Sequence, residues 1–254
     1  PIHKWIHVNN ILSKFELLKF KSEVRTRFKY LLFKLGITPL NVYKLFNRLN
    51  LGKLRRKGGP GAIRGRLKKF FISLNDIDWS KTKAFAAPGF GQIFINLKGR
   101  DPLGIVEPTE YEALREQIIT KLGGFQDPEN GEVFERIIKK EEIYHGPNLY
   151  RIGDILLLAR RTYGVFPGYE FGSNSLISPV VGTSGAHTID GIIIMKGSYI
   201  KKGVTLTNAN VMDVAPTVLY LMGLPIPSDI DGKVLMEAID KSYSMHNPVQ
   251  YKEV

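Results

Sequence analysis

His187 stands in the small, polar segment Gly182-Thr-Ser-Gly-Ala-His-Thr-Ile-Asp190. A neutral imidazole offers one lone pair to a metal ion, and a ligating histidine is oriented by an acceptor on its other ring nitrogen, here Asp190 or a loop carbonyl. Gly185 and Ala186 are small enough to let the loop approach an ion closely. A lone histidine also has a structural or merely exposed reading, and one monodentate ligand does not make a tight site. His3 and His7, four residues apart, mimic a metal pair on a helix, but no glutamate accompanies them as in the zinc-protease arrangement. The chain has no cysteine, which excludes disulfides and thiolate metal sites and leaves histidine and carboxylates as strong ligands, donors that suit Zn or Mn. Arg100 is expected to pair with the adjacent Asp101 rather than bind an anion. Asp213 is read as a helix cap, Asp231-Gly232 as a turn and His145 as an exposed turn residue.

Alternating strands and helices must position these groups. Lys83–Ala87 and Gln92–Asn96 are short apolar runs bounded by glycine and proline, as strands are. Thr109 is expected to cap a helix whose inward face is Tyr111, Leu114, Ile118 and Leu122. Asp154–Ala159 and Gly191–Met195 are continuous apolar runs of strand length, the pattern of a sheet covered on both faces. Asp213 then opens a helix with Val214, Val218 and Leu221 inward, closed by Gly223 and Pro225. The expected fold class is α/β, with a largely parallel sheet flanked by helices.

The 254 residues, 43% hydrophobic, suffice for one large core or a core with a small appendage. No apolar run approaches the roughly 18 to 20 residues that cross a bilayer. The net charge of +12 is local. Residues 19–69 hold sixteen Lys/Arg and one acid, Glu23, a net +15, so the remainder sums to −3. Cations alternate there with apolar residues, as in Phe28–Leu35 and Val42–Leu49, at helical spacing. Such a helix packs its apolar face on a core, lies on anionic lipid or contacts nucleic acid, and the first of these is the default. Gly58-Gly-Pro-Gly61, amid further cations, reads as a mobile loop and lacks the ending of a phosphate-binding P-loop.

Gly182–Met195 followed by Asp213–Gly223, together with Ile95–Val106 and Glu110-Tyr111, resembles the C-terminal core of the alkaline phosphatase superfamily, specifically the type I phosphodiesterase/nucleotide pyrophosphatase branch. Pro1–Asn10 resembles the segment directly after that branch's Asp-His-Gly metal motif; residues 19–70 match poorly. The resemblance implies an alkaline-phosphatase-like fold in three parts: 1–18 continuing the catalytic core, a basic helical insertion at 19–75 and the C-terminal core at 76–254. It implies the second portion of a metal-dependent hydrolase of phosphate esters, with two divalent ions (Zn or Mn) in the full-length enzyme and His187 as the one ligand carried over. The nucleophile and other ligands normally lie upstream, so the N-terminal half of the same protein is an expected partner and the chain alone is expected to be inactive. Asn10 matches a recurrent family asparagine and is expected to close a turn. The alternative is a non-catalytic domain that binds anionic lipid or nucleic acid through residues 19–70. The expected compartment is the cytoplasm, at the membrane surface if the basic segment touches lipid.

Overall fold

The computed structural model describes residues 1–49, 69–87, 91–167, 171–181, 185 and 189–253, without the side chains of Phe46 and Asn47. They divide into two compact units, Pro1–His187 and Thr188–Val254. Among the described residues no helix is long and apolar enough to cross a membrane.

The first unit opens with strand β1 (Lys4–Ile6) and helix α1 (Val8–Lys14), followed by helices α2 (Val24–Lys34) and α3 (Pro39–Arg48). Strands β2 (Ala84–Ala86) and β3 (Gln92–Ile95) precede helix α4 (Tyr111–Gly123). The ribbon β4 (Gln126–Asp127) and β5 (Gly131–Glu132) leads into β6 (Phe134–Lys139) and β7 (Ile155–Ala159). Strands β8 (Tyr163–Val165) and β9 (Ile177–Pro179) complete the unit. Its core gathers Ile6, Ile11, Leu12, Leu18, Ile93, Ile95, Ile118, Leu122 and Ile155, all essentially inaccessible to solvent.

The sheets overturn the expectation of a largely parallel sheet. The largest, β2-β3-β7-β6, is antiparallel throughout, and the three-stranded β8-β1-β9 sheet is mixed, β1 running parallel to β8 and antiparallel to β9. Apolar content says how deeply a strand is buried, whereas direction is set by the connection. Parallel neighbours need a crossover of a dozen or more residues, usually a helix, while antiparallel ones can be joined by a short link. Residues 87–91 join β2 to β3 by such a short link, and 140–154, which join β6 to β7, are longer but hold single helical turns in place of a crossover helix.

In α4, Leu114, Ile118 and Leu122 are buried, as their spacing requires. Thr109 does not cap it. Residues 107–110 first make a turn, Glu110 N–H donating to the Glu107 carbonyl at 2.9 Å, and no side chain caps the helix after it.

Helix α2 turns a polar face inward. Thr26 and Lys29 are buried with Phe33, and Lys29 Nζ meets the Asp76 carboxylate at 2.8 and 2.9 Å. Phe20, Tyr30, Phe33 and Phe171 form an aromatic cluster beside them, with neighbouring ring centroids 5.1 to 6.2 Å apart.

The second unit holds helix α5 (Val214–Leu221), the parallel pair β10 (Ile226–Pro227) and β11 (Tyr251–Lys252), and helix α6 (Lys241–His246), around Tyr220, Ile226, Val234 and Ile239. Two expectations fail in it. The run Gly191–Met195 forms no strand, and Ile192 and Ile194 are 92% and 89% exposed. A doubly apolar strand needs neighbours on both sides, and no described strand of this unit pairs with it. Val214 and Val218 point outward; α5 instead buries Pro216, Thr217 and Tyr220, because the Thr217 and Tyr220 hydroxyls find partners within the unit. The closing turn is as expected: Gly223 takes φ +69°, a conformation that favours glycine.

Candidate functional site

Asp154 accepts five hydrogen bonds, from four residues. It opens β7, is fully buried, and accepts from groups scattered along the sequence. Arg100 donates from Nη1 to Oδ1 at 2.6 Å and from Nη2 to Oδ2 at 2.9 Å. Lys140 Nζ and the Tyr111 hydroxyl reach Oδ1 at 2.9 and 2.8 Å, and the Ile95 amide reaches Oδ2 at 2.7 Å. Burial alone would raise the Asp154 pKa; the hydrogen bonds from Arg100, Ile95, Lys140 and Tyr111 overcome it and hold the group below the ordinary carboxylate value. Burial and the neighbouring Asp154 push the Tyr111 hydroxyl above its usual range, so it stays protonated and donates. With its oxygens occupied by donors and its charge matched by two cations, Asp154 positions structure and is a poor proton acceptor.

Arg100 pairs with Asp101 as expected, at 3.1 Å, and with Asp154 more closely. Sequence reasoning missed Asp154 as the hub. Its signal is faint: an acid at the head of an apolar strand needs a cation, but Arg100 and Lys140 lie 54 and 14 residues away.

A cleft of about 550 Å³ opens beside α1 and β4, lined among others by Lys4, Lys14, Phe15, Lys121, Asp127 and Ser178. Lys4 Nζ bonds Asp127 at 2.7 Å and Glu129 at 2.5 Å, and the Tyr163 hydroxyl donates to Asp127 at 2.7 Å. Partial burial opposes ionisation of Asp127, but the bonds from Lys4, the Glu129 amide and Tyr163 keep it well below the usual carboxylate range. Asp127 is therefore ionised and saturated with donors, and does not act as a base.

His7 follows β1 and is buried against Phe166, its Nε2 2.9 Å from Ser178 Oγ. Burial lowers its pKa to about 4, so the ring is neutral at pH 7. The contact has the reach of a nucleophile and base, but so weak a base, with no carboxylate among the described residues orienting its other nitrogen, reads as core stitching. His3 is exposed at the opposite end of β1. At strand rise the two histidines stand roughly 13 Å apart, too far to share an ion.

Asn10 sits within α1 rather than at a turn, and its amide donates to the Ser173 and Ser175 carbonyls at 2.7 Å each, tying that loop down. His145 is exposed, as are Asp190 and Asp231. His187 lies outside the described residues, as do Gly58–Gly61. Among the described residues no group of three or more His, Asp or Glu side chains is placed to hold a metal ion. The two ions that the resemblance implies therefore do not fit the described residues by themselves.

In the second unit Asp213 is buried in a knot of its own. Its carboxylate accepts from the Asn210 amide at 2.8 Å and the Lys233 amide at 2.9 Å. These bonds draw its pKa down. It precedes α5 without capping it by its side chain; Asn210 caps the single turn Val211–Asp213 instead, accepting from the Met212 amide at 3.1 Å. The Thr217 hydroxyl donates to the Asp213 carbonyl at 2.6 Å and accepts from the Leu235 amide at 2.9 Å.

No family model, curated protein or solved structure matches the chain.

Proposed function

We propose that the chain is the C-terminal portion of a metal-dependent, phosphodiesterase/nucleotide-pyrophosphatase-like hydrolase of phosphate esters. One observation carries the reading beyond the motifs. Asp213 and Thr217, both within the Asp213–Gly223 stretch of the resemblance, accept from the Lys233 and Leu235 amides and so fix that stretch within the second unit. His187, directly before this unit in the sequence, is the ligand contributed by this chain; the remaining ligands and the nucleophile are those that the resemblance places upstream in the full-length enzyme.

The test is hydrolysis of bis-(p-nitrophenyl) phosphate, with Zn or Mn supplied, by the protein as naturally expressed and by the 254-residue chain alone. The natural protein is expected to turn over, the chain alone to be inactive, and His187→Ala to lower kcat/KM by roughly 100-fold with an unchanged circular dichroism spectrum. Turnover indifferent to chelation or to His187→Ala would overturn the assignment.

A further inference from the structure

Helix α2 carries its apolar residues on the wrong side for a core helix. Val24, Phe28, Leu31 and Leu35 follow one another at intervals of four, three and four, so they form one stripe along the helix and its C-cap, and they are 86%, 53%, 54% and 69% exposed. The opposite face is buried and partly polar, with Thr26 and Lys29 committed to Asp76. The orientation is therefore pinned, and the stripe cannot be hidden by rolling the helix inward without unpairing the buried Lys29–Asp76 pair. Arg25 flanks the stripe on one side, Arg27 and Lys34 on the other, all exposed. Beyond it α3 adds exposed Tyr43, Lys44, Leu45 and Arg48.

We infer that this face of α2 lies on an anionic lipid surface, with Val24, Phe28, Leu31 and Leu35 entering the headgroup boundary and Arg25, Arg27 and Lys34 meeting lipid phosphates and carboxylates. Charge complementarity selects the occupant. Residues 19–69 carry sixteen cations and one acid. An apolar stripe rimmed by long cationic side chains satisfies both halves of a bilayer interface, since their stems lie along the apolar region while the charges stay in the headgroups. A nucleic-acid backbone would reward the cations and leave four large apolar side chains in water. A second copy of the helix would cover the stripe but bring like charges together. The inference goes beyond the hydrolase reading and stands independently of it.

Co-sedimentation of the 254-residue chain with vesicles of phosphatidylcholine, alone or mixed with phosphatidylserine, tests it. Binding is expected to the mixed vesicles only, weakening at least tenfold between about 50 mM and about 500 mM salt, because surface attraction is screened within the Debye length. Phe28→Asp combined with Leu31→Asp should abolish it while leaving the near-ultraviolet spectrum intact. Should that pair perturb folding, a Leu31→Trp variant provides the second measurement: its emission must be quenched by brominated lipid. Absence of binding at low salt overturns the inference. So does binding that survives the aspartates but is lost when Arg55, Arg56 and Lys57 become Glu. Preference for single-stranded RNA over vesicles, or a dimer dissolved by the aspartates without vesicle binding, also overturns it.

Discussion

Arg100 holds Asp154 through two parallel hydrogen bonds, Nη1 to Oδ1 at 2.6 Å and Nη2 to Oδ2 at 2.9 Å, with the carboxylate wholly buried. Their planar fork and carboxylate match in a way that a lysine cannot reproduce. Asp154 also collects the first residues of the α4 segment, the end of β3 and the turn after β6 through Tyr111, Ile95 and Lys140. Removing the carboxylate leaves Lys140 facing a cavity without its counter-charge and Arg100 with Asp101 alone. Asp154→Ala is expected to cost about 3 to 5 kcal/mol in chemical denaturation, and Arg100→Lys about 1 to 2 kcal/mol. A loss below about 1 kcal/mol for Asp154→Ala would show that the hub is not what ties these elements together.

Acid should weaken the fold in two stages. The His7 pKa is lowered by burial to about 4 from its ordinary 6.5, so the unfolded chain binds the proton first. Its contribution is complete above pH 6.5 and is lost as pH falls toward 4, about 3 kcal/mol in all. Asp76, Asp127 and Asp154, held below their ordinary value, keep their contributions until pH drops below about 4 and lose them there. His7→Gln retains a partner for Ser178 without a charge to bury. Urea titrations across this range should show the variant flat between pH 6.5 and 4 and parallel to the parent below; an unaltered slope above pH 4 would mean that another group sets it.

Gly232 lies against the Met212 carbonyl so closely that an added Cβ would stand 2.0 Å from its oxygen and 2.4 Å from its carbon. Backbone cannot yield as a side-chain tip can, so Gly232→Ala must part the two segments that Asp213 joins. The expected cost is about 3 kcal/mol, visible as faster amide exchange across 210–235. Gly191, with nothing within 4 Å of its would-be Cβ, is the control and should tolerate alanine. Equal exchange in both variants would remove the close approach from the account of this unit.

Signals carried by neighbouring residues translated directly into structure. The spacing of Leu114, Ile118 and Leu122 became the buried face of α4, the glycine-bounded apolar runs became β2 and β3, and Gly223 closed α5. Each rests on backbone preference or on periodicity within a single element, which need no knowledge of the rest of the chain. The candidate metal ligand His187 was legible as a residue type in a permissive loop, and no more than that, because a coordination sphere is assembled from distant positions.

What depended on distant positions was settled by the folded chain. The direction of β7 followed from its link to β6 and its pairing beside β3, the inward face of α2 from the need of Asp76 for Lys29, and the outward turn of Val214 and Val218 from the partners available to Thr217 and Tyr220. Hydrophobic pattern ranks a side chain's tendency to leave water; it does not know which buried carboxylate must be neutralised. An unpaired buried charge costs more than several exposed apolar side chains, so the polar pairing chose the face and left the stripe of α2 in solvent.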